Sequence, residues 1–351
     1  MNVFVGGVDG GQTSTNAAIA DGNGRILGRG DGPAADLVGE HRNSDRQRAA
    51  IAQALEAAMS AAGLSSDTRL AAVVVGLTGH DGDPRSAPGL APSADAVAIV
   101  HDAVIAHAGA FGGEAGIVVL AGTGSVALGN AAPGEPYVRA GGWGYFFGDH
   151  GGALGIAREA IAWAMQDADR GEASQLGAAA LRFFGASDLH AIQHAFASGE
   201  LSRPALAAFA AHALAMAPTE RPSMPMQAWF LRSVAVRALT ELAWAIDDRL
   251  PAVPVRRVSY SGGVFRNEGL LRTFRSVVAN GMRPPSKKRG DSAIETLPTV
   301  VSPLGDRNGF AAESLRKTVA FEPLGDPLDG ALLLARGLAE GKPVAGWAAV
   351  G

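Results

Sequence analysis

The first chemically distinctive stretch of the chain lies within its first fifteen residues and reads VGGVDGGQTST. An acid, Asp9, is followed by two glycines and then by the hydroxyl-bearing Thr13. Residues without side chains let backbone N–H groups approach an anion closely, and a hydroxyl adds a further donor. A carboxylate at the end of a strand can also hold Mg²⁺, directly or through water. The stretch is compatible with a phosphate-binding turn, and equally with an ordinary hairpin that carries a structural aspartate.

Two further glycine-rich stretches follow apolar runs. Gly122-Thr123-Gly124-Ser125 lies between two predicted strands, and the stretch YSGGVFRN at residues 260–267 ends a strand and opens a helix. A strand-to-helix junction presents backbone amides to a nucleotide, although a tight turn explains each stretch by itself. The sequence contains no Gly-x-x-x-x-Gly-Lys-Ser/Thr element, which excludes a Walker-type loop.

The elements that position these turns alternate between strands and helices. Apolar runs predict strands over residues 3–8, 14–20, 25–29, 70–77, 96–100, 116–121, 125–128, 136–139 and 255–260. Helical spacing predicts helices over residues 44–62, 103–110, 267–279 and 328–338, and a mainly helical stretch from 151 to about 250 with breaks near 171, 185 and 218–225. The pattern of strand, glycine turn and strand occurs twice, which predicts two related lobes.

Composition bounds the possible functions. The 351 residues suffice for two domains, and 47% hydrophobic with 18% charged residues favours a large core. The net charge of −4 has no block of like charge, which argues against nucleic-acid and membrane-surface partners. The start of the chain lacks a secretory pattern and apolar runs are short, so we expect a cytoplasmic protein. The absence of cysteine excludes disulfides, thiolate zinc sites and cysteine-held iron–sulfur clusters.

In chain order, these motifs resemble those of the actin-like ATPase superfamily, which contains sugar kinases, actin and heat-shock chaperones. Asp9-Gly10-Gly11-x-Thr13 resembles the first phosphate motif, Gly122-Thr123-Gly124-Ser125 the second, and Gly262-Gly263 the adenosine motif. Gly141-Gly142-Trp143-Gly144, followed by Gly148-Asp149-His150-Gly151, is similar to the signature of N-acetylglucosamine kinases and their bacterial relatives in the BadF/BadG/BcrA/BcrD ATPase family. The resemblance covers nearly the whole chain.

The resemblance implies an α/β fold of two actin-like (ribonuclease H-like) lobes, each a mixed five-stranded sheet flanked by helices, with a cleft between them. We place the division between residues 1–114 and 115–351, and expect the final helix, about 328–340, to pack back on the N-terminal lobe. The implied activity is ATP-dependent phosphorylation of an amino sugar at its 6-hydroxyl, with N-acetylglucosamine as the expected acceptor. ATP and Mg²⁺ are the implied cofactors, and a homodimer is expected.

The resemblance also implies a role for each motif residue. Asp102, between a buried strand and a helix, matches the catalytic base, although aspartate is also favoured as a helix N-cap. Asp9 matches the magnesium ligand. The implied nucleotide contacts are Gly10, Gly11, Gln12, Thr13, Thr123, Gly124, Gly262 and Gly263. The implied sugar contacts are Asp36, Ser125, Gly142, Trp143 and Asp149.

Three positions depart from the family pattern. His101 stands where the family often has asparagine or threonine before the base, and His150 replaces the usual glutamate. Asp36 and Val38 fall where relatives carry an asparagine and, in animal enzymes, a sugar-stacking tryptophan. An acid at position 36 suits a protonated 2-amino group, so glucosamine is the alternative acceptor.

Two other kinds of function are alternatives to a kinase. Some relatives are ATP-driven electron-transfer activators that hold an iron–sulfur cluster with cysteines, and the lack of cysteine excludes that reading. A non-catalytic sugar sensor on the same scaffold is the remaining alternative. The retention of Asp9, Asp102 and Asp149 speaks against a sensor, because sensing does not require a base and a metal-binding acid together.

Overall fold

The N-terminal part of the chain forms one mixed sheet in the computed structural model, which describes residues 3–35, 45–80, 94–217, 227–281 and 317–346. Its strands are β1 (Phe4–Gly10), β2 (Thr15–Asp21), β3 (Ile26–Gly32), β4 (Leu70–Leu77) and β5 (Ala94–His101). They lie in the order β3-β2-β1-β4-β5, with β1 antiparallel to β2, β2 antiparallel to β3, and β4 parallel to both of its neighbours. The glycine turn between β1 and β2 closes a hairpin in which Gly10 pairs with Thr15.

A second sheet repeats this arrangement. Its strands are β6 (Gly116–Ala121), β7 (Ser125–Asn130), β8 (Val138–Gly141), β9 (Val255–Ser261) and β10 (Lys317–Ala320). The order is β10-β9-β6-β7-β8, with an antiparallel meander from β6 to β8 and parallel pairing of β9 with β6 and β10. The second glycine turn joins β6 to β7 at the position that the first turn occupies between β1 and β2.

Helices cover both sheets. They are α1 (Asp45–Ala61), α2 (Asp102–Phe111), α3 (Gly144–Phe147), α4 (Ala153–Asp169), α5 (Gln175–Phe184), α6 (Leu189–Ser198), α7 (Arg203–Ala215), α8 (Gln227–Asp247), α9 (Glu268–Ala279) and α10 (Pro327–Ala339). Side-chain caps begin α5, α6 and α7, where Ser174, Asp188 and Ser202 each accept a backbone N–H from the first turn. Left-handed Gly185 and Gly199 end α5 and α6, so local chemistry divides the helical stretch.

Helices α2 and α10 cross between the two sheets and join their cores. A Cβ on Gly330 would lie 1.9 Å from the carbonyl oxygen of Ile105, so only glycine permits this close approach. One cluster of buried side chains includes Val5 of the first sheet, Val118 of the second, and Leu332 of α10. The crossing brings the start of α10 close to the end of β1.

The structure confirms the α/β class and the two mixed five-stranded sheets flanked by helices. The final helix packs on the N-terminal sheet, where a Cβ on Gly7 of β1 would lie 2.9 Å from Cβ of Ala331. The domain division at 114/115 stays a prediction. The sequence patterns did not predict β10, which has four residues. Within the described ranges, no helix combines the length and the apolar character needed to cross a bilayer.

Candidate active site

The carboxyl ends of three parallel strands meet at one edge of the first sheet. Gly10 of β1 lies opposite Leu77 of β4, and Leu77 lies opposite His101 of β5. The backbone N–H of Thr78 donates to the carbonyl oxygen of Gly10 at 3.0 Å, which extends the pairing beyond the strand ends. The residues that end these strands therefore lie side by side, as in other open α/β sheets that bind ligands at this edge.

Asp102 is the first residue of α2 at this edge. Its Oδ2 accepts a hydrogen bond from the Thr78 hydroxyl at 2.7 Å, its Oδ1 lies 2.6 Å from Nδ1 of His101, and 22% of its side chain is exposed. Burial by itself would raise the pKa of Asp102, but the charge and hydrogen bond of His101, with hydrogen bonds from Thr78 and the Ala103 amide, hold that pKa below its usual value. The carboxylate is therefore ionised at neutral pH.

His101 has two partners for one ring nitrogen. Its Nδ1 lies 3.1 Å from the backbone nitrogen of Ala103 as the N-cap of α2, and 2.6 Å from the Asp102 carboxylate. As the N-cap, Nδ1 accepts the N–H of Ala103, and the same edge of the ring faces the Asp102 carboxylate. The helix cap is thus His101, which answers the alternative that Asp102 serves only as the N-cap.

Asp9 lies at the end of β1 among other carboxylates. Burial first, and then the negative charges of Asp102 and Asp326, raise the pKa of Asp9 to about 7. Asp9 lines a cavity of about 220 Å³ together with Arg29, Asp31 and Asp326. A partly buried carboxylate beside like charges is stabilised in its ionised form by a cation.

The residues at Asp9 have the right ligand type for magnesium but supply few protein ligands. Hard carboxylate oxygens are the protein ligands that Mg²⁺ prefers. Among the described residues, no group of three or more histidine, aspartate or glutamate side chains is arranged to hold a metal ion. Magnesium held at Asp9 would therefore complete its shell with water and substrate phosphate oxygens, as this ion commonly does.

The first glycine turn contains backbone amides that are available to bind a ligand. The N–H of Gly11 donates to the carbonyl oxygen of Ser14 at 3.0 Å, and the carbonyl oxygen of Gly11 accepts from Ala35 at 3.1 Å. Within the described part of the chain, the amides of Gln12 and Thr13 donate to no acceptor. Two adjacent amide donors at an exposed tip are suited to an anion.

The second glycine turn is fixed by the helix that follows it. The N–H of Ala153 donates to the carbonyl oxygen of Gly122 at 2.8 Å, and that of Leu154 donates to Thr123 at 3.0 Å. Oδ1 of Asp149 accepts the N–H of Ser125 at 3.0 Å, and Asp149 itself adopts a left-handed φ of 59°. The turn is therefore rigid before any ligand binds.

The adenosine-motif glycines lie beside this second turn. Gly262 has φ of 107°, and a Cβ there would lie 2.5 Å from the carbonyl oxygen of Ala121. A cavity of about 320 Å³ opens at this point, lined by Gly262 and Arg266 together with Ala106 of α2 and Asp326. Asp326 lines both this cavity and the one at Asp9, so the two spaces are neighbours. Gly263 is exposed at the same turn.

The predicted sugar contacts differ in their exposure. Trp143 is 62% exposed, with the Arg139 guanidinium 5.2 Å from its ring centre, so it is not a core tryptophan; Gly142 beside it is also exposed. Ser125 is 4% exposed, and its hydroxyl donates to the carbonyl oxygen of His150 at 2.8 Å. Asp36 and Val38 lie outside the described residues.

Comparison with known proteins places the chain in a family. Residues 7–286 match the model of the BadF/BadG/BcrA/BcrD ATPase family. The chain belongs to this family. A stretch of 77 residues, 22% of the chain, is 42% identical to an N-acetylmuramic acid/N-acetylglucosamine kinase of Clostridium acetobutylicum. That stretch spans 25% of the relative's length, so a shared activity with this relative can only be proposed.

Solved structures extend the likeness to the whole of this ATPase-family chain. A candidate N-acetylglucosamine kinase of Chromobacterium violaceum matches with a TM-score of 0.67 and 26% identity, over 95% of this chain and 99% of that one. A ROK family glucokinase of Streptomyces griseus, solved with glucose and AMPPNP, matches with a TM-score of 0.51 and 18% identity over 96% and 99%. The second likeness concerns the fold, which is that of the actin-like ATPase kinases.

The sequence did not predict three side chains at the candidate site, namely Thr78, Arg29 and Asp326. Thr78 directly follows a buried parallel strand, and a rule about strand ends would have found it. Asp326 begins α10 in a capping box with Asp329, a signal that predicts a helix start but not its proximity to Asp9. That proximity depends on the crossing of α2 and α10.

Proposed function

We propose that this member of the ATPase family is a sugar kinase that transfers the γ-phosphoryl group of ATP to the 6-hydroxyl of N-acetylglucosamine. The observation that carries the proposal is the ionised Asp102, held between His101 and Thr78 at the same sheet edge as Asp9. Support comes from the family, from the whole-chain neighbour of Chromobacterium violaceum, and from the partial match to a sugar kinase.

Phosphoryl transfer needs a positioned nucleophile and charge stabilisation more than covalent work by the protein. Asp102 accepts the proton of the 6-hydroxyl as that oxygen bonds to the γ-phosphorus and the bond to the departing ADP oxygen breaks. Thr78 and His101 fix the direction of the carboxylate. Asp9 would hold Mg²⁺, which when bound spreads the developing charge on the phosphates.

The nucleotide contacts follow from the two turns and the motif beside them. The amides of Gln12 and Thr13, with Gly10 and Gly11 at the first tip, would bind phosphate oxygens from one lobe. Thr123 and Gly124 would bind them from the other lobe. Gly262 and Gly263 would lie against the adenosine, next to the cavity of about 320 Å³. Closure of the lobes would then exclude water from the γ-phosphate.

The acceptor sugar would lie between Asp102 and the second lobe. Exposed Trp143 can pack against an apolar sugar face, and Asp149 can bind hydroxyls through charge-assisted hydrogen bonds. Gly142 leaves space beside the indole. Ser125 would act indirectly, because its hydroxyl fixes the backbone at His150, next to Asp149. Glucosamine is the second candidate acceptor, because Asp36 can pair with a protonated 2-amino group.

An ADP-release assay tests the proposed base. Asp102→Asn should lower kcat by about a hundred- to ten-thousandfold, the usual contribution of a general base, without loss of the folded state. Asp95→Asn is the matched control, because Asp95 lies on β5, the strand that leads into Asp102, and pairs with Arg69 at the surface. If Asp102→Asn retained wild-type turnover, this assignment would be wrong.

The acceptor is tested by comparing turnover on N-acetylglucosamine and glucosamine, with NMR of the product to locate the phosphate. The proposal expects higher kcat/KM for N-acetylglucosamine and phosphate at the 6-position. A strong preference for the free amine replaces the first acceptor with the second. Binding of both sugars with no ADP release supports a sensor instead. A homodimer joined through the helical second lobe remains a prediction, which the solution mass would test.

A further inference from the structure

Helix α6 carries two histidines on its exposed face. His190 and His194 are four residues apart and both are exposed, whereas Ile192 between them is the buried residue of this helix. Residues at i and i+4 of a helix are neighbours, with Cβ atoms about 5–6 Å apart. Two imidazoles at that spacing can bind one metal ion together, as two histidines on one helix face do in zinc proteases.

The helix is fixed at both ends, so the spacing of the two histidines is set before any ion binds. Oδ1 of Asp188, the N-cap, accepts the N–H of Ala191 at 2.9 Å, and left-handed Gly199 ends the helix. Among the described residues, neither imidazole forms a hydrogen bond or a ring contact, so both are available to a ligand. Ligands that are already in position lose less conformational entropy when they bind an ion.

Asp188 adds negative charge beside this pair. The N–H of Ala191 first, and then the Ser187 hydroxyl and the charge of His190, lower the pKa of Asp188, so an ionised carboxylate lies near that imidazole. Both of its oxygens already accept hydrogen bonds, from Ala191 and, at 3.1 Å, from Ser187. Across the described ranges, no group of three histidine, aspartate or glutamate side chains is arranged to hold a metal ion. Two histidines would therefore hold an ion whose remaining positions are filled by water.

We infer that His190 and His194 form a binding site for a divalent transition-metal ion on the surface of the helical region. Imidazole nitrogen suits Zn²⁺, Cu²⁺ and Ni²⁺, and Cu²⁺ binds most tightly of these to a given set of nitrogen ligands. The site shares no residue with the glycine turns, Asp9 or Asp102, so it does not depend on the proposed kinase activity. A bound ion would join two turns of a helix that buries one side chain, and would stabilise the folded chain by mass action.

The test is calorimetric titration of the untagged full chain with Cu²⁺ and, separately, with Zn²⁺. Excess Mg²⁺ is present throughout to occupy sites made of oxygen ligands. His190→Gln and His194→Gln should each weaken Cu²⁺ binding by roughly ten- to a hundredfold, because the second of two linked ligands acts at a high effective concentration. Both positions are exposed and glutamine favours a helix, so both variants should keep the fold. Wild-type chain should bind Cu²⁺ more tightly than Zn²⁺.

The matched control moves one histidine along the same helix. His194→Gln combined with Ser198→His keeps two exposed histidines on α6 but sets them eight residues, about 12 Å, apart, which is too far for one ion. This double variant should bind Cu²⁺ as weakly as the single variants do. Electron paramagnetic resonance of bound Cu²⁺ should detect two imidazole nitrogens in the wild type. The inference is overturned if the double variant binds Cu²⁺ as tightly as the wild type, or if the signal of two nitrogens persists in His194→Gln.

Discussion

The two sheets share one topology but differ at the edge that carries their glycine turns. Strand β1 ends in Asp9-Gly10, whereas the equivalent strand β6 ends in Leu120-Ala121. The first edge therefore gathers carboxylates, and one of them has its pKa raised to about 7. The second strand ends without an acid, and its turn is fixed by hydrogen bonds from α4 and by the Asp149 carboxylate.

This difference shows how one topology can divide the tasks of the proposed phosphotransfer site between two sheets. The first lobe supplies ionisable groups whose mutual repulsion lowers its stability, and the second supplies rigid amide donors. The acid that belongs to the second lobe, Asp149, is already bonded to Ser125. We therefore expect the acid of the first lobe, Asp9, to lower the free energy of unfolding while it serves function. We expect the acid of the second lobe, Asp149, to raise it.

Removal of the Asp9 charge gives the largest expected effect. The pKa of Asp9 is about 7 in the folded chain against an ordinary 3.8, so the folded state binds more protons and loses stability as pH rises through that window. At pH 8, Asp9→Asn should raise the free energy of unfolding by about 4 kcal/mol and abolish turnover. At pH 3.8 or below the stability gain should vanish, which urea unfolding at several pH values measures.

Asp149→Asn is the matched change in the second lobe. Asparagine tolerates the left-handed φ of 59° but loses the charge on the hydrogen bond to Ser125, so we expect a loss of about 1 kcal/mol. If Asp9→Asn destabilised the chain as Asp149→Asn does, the contrast between the lobes would be wrong.

The next effect is a pH dependence of stability caused by His107, which lies at the junction between the lobes. His107 of α2 is 1% exposed, and its Nε2 lies 3.1 Å from the carbonyl oxygen of Gly116 at the start of β6. Burial first, opposed by the Gly116 hydrogen bond and assisted by Arg257, lowers its pKa from 6.5 to about 4. Between these values the unfolded chain binds more protons, so stability should fall by about 3 kcal/mol as pH drops from 6.5 to 4.

The measurement for His107 is the slope of unfolding free energy against pH, compared with His107→Phe. The variant should flatten the slope over that window, whatever its absolute stability. An unchanged slope would show that other groups cause the acid sensitivity.

Gly262 of the adenosine motif and Gly11 of the first glycine turn should respond differently to a methyl group. Gly262→Ala must place a side chain at φ of 107° and 2.5 Å from the Ala121 carbonyl oxygen, so we expect a loss of about 2 kcal/mol. Gly11→Ala meets only an ordinary contact of 3.4 Å with Ser14, so it should stay folded while KM for ATP rises roughly tenfold. Equal stability losses in the two variants would remove the distinction between a packing glycine and a binding glycine.

The smallest effect concerns His101. Asparagine is a good N-cap, so His101→Asn should keep α2 intact while it removes the group that lowers the pKa of Asp102. The acidic limb of kcat/KM should move to higher pH, with a loss of less than about tenfold at neutral pH. Should the limb stay in place while the melting temperature falls, His101 is only a helix cap.

Local signals were sufficient for much of the fold. The two glycine hairpins, the buried strands and the final helix were predictable because apolar runs, turn residues and capping residues specify them within a few positions. Strand β10 was missed because four residues with two partly buried positions carry no periodicity. The break at Gly199 was also missed, since one glycine between two alanine-rich helices resembles a glycine within a helix.

The site was predictable only where motifs carry it. Asp9 and Asp102 could be named from strand ends and family resemblance. The proximity of Asp326 to Asp9 results from the close crossing of α2 and α10 at Gly109 and Gly330, which pairs residues more than two hundred positions apart. No local pattern specifies such a contact, and the sequence alone therefore does not predict it.

The central claim is that the two glycine turns bind one triphosphate while Asp102 faces the acceptor hydroxyl. A crystal structure with AMPPNP, Mg²⁺ and N-acetylglucosamine tests it most directly. We expect phosphate oxygens within hydrogen-bond distance of the Thr13 and Thr123 amides, and the 6-hydroxyl within about 3 Å of a carboxylate oxygen of Asp102. A triphosphate bound elsewhere, or a sugar hydroxyl that cannot reach Asp102, would contradict it.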